Sequence, residues 1–344
     1  MKAVRVVRNG RPTEAIEVLD VPVPEPEPGG VRIAVSAAPL NFGDIARTRG
    51  GVASVMAEPP FTLGMDVCGV VDAAGTGAEE WIGRRVLGIC NQSLGGMAEH
   101  ALVPGTAVFD APPELDDVEA AALTLPFHVG HLALSRRAGL QAGEHLLVVG
   151  GASAVGTAAI QLGVAAGASV IAVAGGPEKG ALCTSLGASV AVDHTTDDVF
   201  DRVMEATDGH GADVVFDVVG GDGTETIWTT VAQGGRYLPV GFNDDPQSGL
   251  TGKPLRRVSM GNFSVVGVIL AYMDAPIEFR RFGVNPFPPS VGREVHAELL
   301  ELVAAGRIRP VIGRRIAMAD VAAALEDHEA RRTTGRTVVD LSLG

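Results

Sequence analysis

Cysteine is scarce in this chain. Cysteine occurs three times in 344 residues, at Cys68, Cys90 and Cys183, and no two form a Cys-x-x-Cys pair. That spacing excludes a cysteine-type structural zinc site and gives no disulfide framework. All three read as buried small hydrophobes. Aromatic residues make up 4% of the chain, so the core must be aliphatic and rich in alanine and glycine. Basic residues are outnumbered, 27 against 41 acidic, for a net charge of −14. This balance argues against nucleic acid or an anionic membrane as a partner. No apolar run reaches the roughly 18 residues of a spanning helix. The start, Met1-Lys2-Ala3-Val4-Arg5-Val6-Val7, is strand-like and lacks the apolar core of a secretory leader. These absences predict a cytoplasmic protein, and the length predicts about two domains.

What is present centres on residues 145–194. His145 to Val149 is a short apolar run of strand character, Gly150-Gly151-Ala152-Ser153-Ala154-Val155-Gly156 follows, and small residues then continue to Ala166 as a helix. Gly167 stops that helix and Ser169 to Ala174 reads as a second buried strand. Strand, glycine turn, helix and strand in this succession are the context of a dinucleotide fingerprint. Glycines let the backbone approach a pyrophosphate, and the helix N-terminus offers free N–H groups and a positive dipole end. A strict pattern would place glycine at 151, 153 and 156; position 153 is Ser153.

The end of the second strand predicts the coenzyme. An NAD site usually carries an acid there for the ribose 2′-OH. Here the segment reads Ala174-Gly175-Gly176-Pro177-Glu178-Lys179, with no carboxylate ending the strand and a lysine following. A 2′-phosphate fits such a turn better, which predicts NADPH; a longer strand would instead make Glu178 an NAD-type acid.

The remaining chain supplies motifs in a recognisable order. Strand-like alternation covers much of residues 1–37, interrupted by the extended connector Pro22-Val23-Pro24-Glu25-Pro26-Glu27-Pro28. Asn41 is a candidate helix N-cap with Asp44 in the first turn. Val214 to Val218 with Gly220-Gly221 reads as a further Rossmann strand and turn, and Arg236 to Val240 as another strand, with Pro239 implying a missing ladder bond or bulge. Phe263 to Leu270 reads as the last strand, and 293–306 and 320–329 as amphipathic helices.

Asn41-Phe42-Gly43-Asp44, Leu63-Gly64-Met65-Asp66-Val67-Cys68-Gly69-Val70-Val71, Gly95-Gly96-Met97-Ala98-Glu99-His100 and Gly234-Gly235-Arg236-Tyr237-Leu238-Pro239-Val240-Gly241-Phe242 carry a resemblance. Together they resemble the zinc-independent quinone oxidoreductases, the zeta-crystallin-like medium-chain dehydrogenases/reductases, over nearly the whole chain. The resemblance implies an α/β protein: a doubly wound parallel Rossmann sheet plus a GroES-like, mostly β catalytic domain. It divides the chain at 1–122, 123–270 and 271–344. It also implies a homodimer formed through the last Rossmann strand.

In zinc-dependent relatives a cysteine and a Gly-His-Glu motif supply ligands for a catalytic metal. This chain has Gly64-Met65-Asp66 there, and its eight histidines show no ligand spacing with the cysteines. No metal site is expected. Oxidising a simple alcohol calls for alkoxide stabilisation, the work of a Lewis acid. A metal-free site needs an acceptor that is already electrophilic, which points to NADPH-dependent hydride transfer to a quinone or conjugated enone.

By resemblance, Asn41 and Asp44 lie near the nicotinamide as catalytic candidates; N-cap and first-turn acid are their structural alternative. The coenzyme would contact Gly151, Ser153, Ala154, Val155, Gly156, Gly176, Val219, Val240, Gly241 and Phe242, with Lys179, His194 and Arg331 toward the 2′-phosphate. Relatives often carry a tyrosine near 46 or 51–52, where this chain has Ala46, Gly51 and Val52; its only tyrosines are Tyr237 and Tyr272. An enoyl-thioester or biosynthetic-intermediate reductase, and a non-catalytic NADPH-binding member, are the competing readings.

Overall fold

The computed structural model describes residues 1–50, 57–241, 255–274 and 277–343. Alternating side chains build its first part. Strand β1 (Lys2–Val6) pairs antiparallel with β2 (Ile16–Asp20) across the short helix α1 (Pro12–Ala15). The ten residues of β3 (Gly30–Pro39) send Val31, Ile33 and Val35 inward with period two. Helix α2 (Phe42–Thr48) follows at once, then β4 (Phe61–Thr62), β5 (Asp66–Ala74), β6 (Arg85–Ile89), β7 (His100–Pro104) and β8 (Val108–Asp110). Helix α3 (Asp117–His131) leads into the next unit.

Here the chain changes to regular βα alternation. Strands β9 (His145–Val149), β10 (Ser169–Ala174), β11 (Val190–Asp193), β12 (Ala212–Asp217), β13 (Val231–Pro239) and β14 (Ser264–Val265) form one sheet. Between them run α4 (Ala154–Ala165), α5 (Pro177–Ser185), α6 (Val199–Ala206), α7 (Thr224–Thr229) and α8 (Arg256–Gly261). The sheet order is β11-β10-β9-β12-β13-β14 and every pair is parallel. This is the doubly wound arrangement, with its topological switch between β9 and β12, where ligands bind beyond the carboxyl ends of the strands. Leu147, Val149, Ile171, Val173, Val215 and Tyr237 make up much of the core on one face.

The chain then returns to the first unit with α9 (Pro289–Ala304), β15 (Ile312–Ile316), α10 (Val321–Glu329) and β16 (Arg336–Asp340). Strands β15 and β16 extend the first unit's sheet, ordered β15-β16-β3-β5-β6-β8 with β7 also on β3. One unit comprises 1–125, 271–304 and 309–344; the other comprises 126–270 and 305–308. The division at 125/126 falls within α3, at Pro126.

Two local expectations change. Only Ser264 and Val265 of the 263–270 segment are paired as a strand. Beyond them Val266 N–H still donates to Tyr237 O (2.8 Å), after which no pairing continues, so the apolar run overstated the strand. Pro239 is the last residue of β13, where its missing N–H interrupts nothing; the extra residues of β13 lie earlier, between the Ala212–Val231 and Val214–Arg236 pairs. All three cysteines are buried, and burial pushes the Cys68 thiol up to about 12 and Cys183 up to about 11. Among the described residues no helix is long and apolar enough to cross a membrane.

Candidate active site

The glycine turn after β9 is held by the strand beside it. Gly150 and Gly151 both donate N–H to Val173 O (3.0 and 2.9 Å), and Gly150 has φ +81°. Ser153, standing where the strict pattern has glycine, caps α4: its Oγ accepts from Gly156 N (3.0 Å) and donates to Gly150 O (2.8 Å). The substitution therefore adds a cap as well as leaving room. Gly156 has no alternative, because a Cβ there would lie 2.2 Å from Gly150 O. The first-turn N–H groups of Ala154 and Val155 have no intrahelical acceptor and point out of the helix end. These residues fit a pyrophosphate. Helix α4 lies close on the sheet for the same reason: a Cβ at Gly163 would meet Leu146 Cδ2 at 2.5 Å.

At the neighbouring turn the fold supplies a carboxylate that the local sequence lacks. Asp193, last residue of β11, accepts at Oδ1 from Gly176 N (3.0 Å), Thr195 N (3.0 Å) and Thr195 Oγ1 (2.6 Å). Gly176, at φ +85°, is the N-cap of α5. The Gly176 N–H and then Thr195 hold the Asp193 carboxyl down to about 2. His194 is exposed beside it; a Cβ on Gly175 would lie 2.9 Å from its Nε2. Lys179 stands in the first turn of α5 and Glu178 is exposed one residue before it. The structure thus gathers Gly176, Lys179 and His194 around one turn, and adds Asp193. The signal for it was an Asp-x-Thr at a strand end, the local pattern of an Asx turn.

A second carboxylate organises the loop after β12. Asp217 is buried; Oδ1 accepts from Val219 N (2.8 Å) and Gly220 N (2.9 Å), and Oδ2 from the Tyr237 hydroxyl (2.7 Å). Its backbone oxygen takes the N–H groups of Val240 (2.8 Å) and Gly241 (3.0 Å). A Cβ on Gly241 would lie 1.9 Å from Val218 O, so the two loops touch through glycine. Val219, Val240 and Gly241 are therefore brought together at the carboxyl end of the sheet; Phe242 lies outside the described residues. Burial first, and the Asp217 charge next, push the Tyr237 phenol up, so it stays protonated.

Asn41 and Asp44 belong to the other unit and are turned inward. Asn41 is the N-cap of α2; its N–H donates to Asp44 Oδ2 (2.8 Å) and its Nδ2 to Asp66 Oδ1 (2.9 Å). Asp44, wholly buried, also meets Arg47 Nη1 at 3.2 Å. Arg336 Nη2 reaches both oxygens of Asp66, at 3.0 and 2.7 Å. Two carboxylates thus face two guanidiniums. Burial pushes Asp66 up and Arg336 down, and their mutual attraction opposes both shifts. Arg331 is in this unit too, at φ +58° after α10. Among the described residues no group of three or more His, Cys, Asp or Glu is placed to hold a metal ion.

A GroES-like β unit interrupted by a dinucleotide-binding sheet defines a medium-chain dehydrogenase/reductase, an oxidoreductase that takes a nicotinamide coenzyme. The alcohol dehydrogenase GroES-like domain profile matches residues 27–113, and the profile described as zinc-binding dehydrogenase matches 154–282. A quinone oxidoreductase-like protein 2 homolog of Nematostella vectensis is 32% identical over 90% of this chain and 81% of its own. The quinone oxidoreductase of Pseudomonas aeruginosa is 31% identical over 98% and 99%. The solved quinone oxidoreductase of Thermus thermophilus, studied also in complex with NADPH, is 33% identical with a TM-score of 0.79, covering 99% of this chain and 100% of that one. The chain belongs to the quinone oxidoreductase family of medium-chain dehydrogenases/reductases.

Proposed function

We propose that the protein is an NADPH-dependent reductase that delivers hydride, without a metal ion, to a quinone or another conjugated acceptor such as an enone. The observation that carries this reading is the state of Asp66. It stands at the acid of the Gly-His-Glu motif that zinc-dependent relatives use at their metal, yet both its oxygens are bonded to Arg336 and one also to Asn41. Met65 beside it replaces the histidine. A donor set already engaged by a guanidinium suits an acceptor that delocalises charge by itself. Its similarity to quinone oxidoreductases supports the same reading.

When bound, the reduced nicotinamide supplies the hydride. The chain's own residues hold and orient it. Gly151, Ser153, Ala154, Val155 and Gly156 cradle the pyrophosphate at the N-terminus of α4. Lys179 draws in the 2′-phosphate, with His194 beside the same turn. The Asp217-held loops carrying Val219, Val240 and Gly241 set the nicotinamide end. Asn41 and Asp44 stay the catalytic candidates of the first unit, where the network of α2 fixes their side chains. Holding donor and acceptor in register contributes several kcal/mol through proximity. Proton delivery falls to water, since the Tyr237 hydroxyl is donated to Asp217 and Tyr272 is buried; a hydroquinone product takes protons readily from solvent.

Purified protein should oxidise NADPH in the presence of simple quinones or enones, followed by loss of coenzyme absorbance. Tight coenzyme binding with no turnover across both acceptor classes would sink the proposal.

A further inference from the structure

The turn after β10 carries opposed charges, and one of them comes from a different strand. Lys179 is the cation on that turn. Against it stand Asp193, bonded to the Gly176 N–H at 3.0 Å, and the exposed Glu178. Asp197 is close as well, its Oδ2 accepting from Asp193 N at 3.0 Å.

We propose that Asp193 is a specificity-determining residue of the coenzyme site: its carboxylate holds down the preference for a 2′-phosphorylated coenzyme, so that NADH is accepted too. The inference rests on the reading that this turn receives the adenosine ribose.

The argument has two parts. Asp193 already occupies the Gly176 N–H, a donor at the start of α5 that a phosphate would otherwise take. The same carboxylate is held at about 2 by that N–H and by Thr195, so it is ionised at any working pH. A 2′-hydroxyl is indifferent to this charge or donates to it, whereas a dianionic 2′-phosphate is repelled. At the water-like dielectric of an exposed turn, one carboxylate beside a dianion changes affinity about tenfold.

Charge and geometry can be separated here. All three hydrogen bonds converge on Oδ1 of Asp193. The amide oxygen of an asparagine can accept the same donors, so Asp193→Asn removes the charge and keeps the turn. Dissociation constants for NADPH and NADH, measured by calorimetry, are compared for the wild type, Asp193→Asn and Lys179→Glu. Asp193→Asn should tighten NADPH about tenfold and leave NADH nearly unchanged, with the gain shrinking as salt screens the turn. Asp193→Ser, also neutral, gives the same reading should the asparagine variant melt early. If the coenzyme ratio stays fixed in both neutral variants while Lys179→Glu lowers it, the role of Asp193 is overturned and the ribose site stands. If none of the three changes the ratio, or neither coenzyme binds the wild type, the ribose reading falls and this inference with it.

Discussion

Asp217 has no free oxygen: two backbone N–H groups share one and the Tyr237 hydroxyl takes the other at 2.7 Å. Removing the phenol oxygen leaves a buried carboxylate short of a donor, the expensive direction for a hydrogen-bond deletion. Tyr237→Phe should lower unfolding free energy by about 1–3 kcal/mol in urea titrations. It should also weaken coenzyme binding, because the 218–221 loop loses part of its anchor. Unchanged stability and binding would show that Asp217 holds the loop through the backbone donors alone. The apolar strand over Val214 to Val218 and the Gly220-Gly221 turn after it were legible. Its tyrosine partner was not, since it comes 20 residues later on the adjacent strand.

Within the β9–α4 element, local chemistry and tertiary packing impose the same requirement. The turn needs a glycine at 150 for its positive φ and one at 156 for the approach of α4 to the Gly150 carbonyl. Gly156→Ala places a methyl 2.2 Å from that oxygen, and the helix start must move away. Overpacking of this kind costs about 1–3 kcal/mol, and the displaced N–H groups no longer meet a pyrophosphate. Thermal melts and coenzyme titrations of Gly156→Ala should therefore both weaken; a variant binding coenzyme as well as the wild type would remove α4 as the pyrophosphate site. This element could be read because its parts are contiguous. In the sequence Ser153 is only a departure from the glycine pattern; its capping role depends on where the helix starts.

Across the molecule, acid stability offers a check on the buried cluster of the first unit. His328 on α10 packs its ring edgewise on Phe42, with centroids 6.0 Å apart. Burial first, and then the Arg336 charge, lower its pKa from 6.5 to about 4. Between those values the unfolded chain binds a proton that the native state refuses. The contribution is complete above pH 6.5 and is lost as pH falls through about 4. It amounts to about 2 kcal/mol after allowance for partial exposure. His328→Phe should lose less stability than the wild type between those limits in denaturant titrations at stepped pH. Parallel curves would place the histidine in water instead.

The order of strands, the glycine turn and the family motifs were determined by the sequence itself, because each depends on neighbours within a few residues and on periodicities of two or 3.6. Tertiary structure alone decided which charges meet. Asp66 and Arg336 are 270 positions apart and share two hydrogen bonds, and Asp193 comes to the Gly176 turn only because β11 lies beside β10. Charge pairing acts through space over a few ångströms, and a linear chain does not record which distant segments the sheet will set side by side.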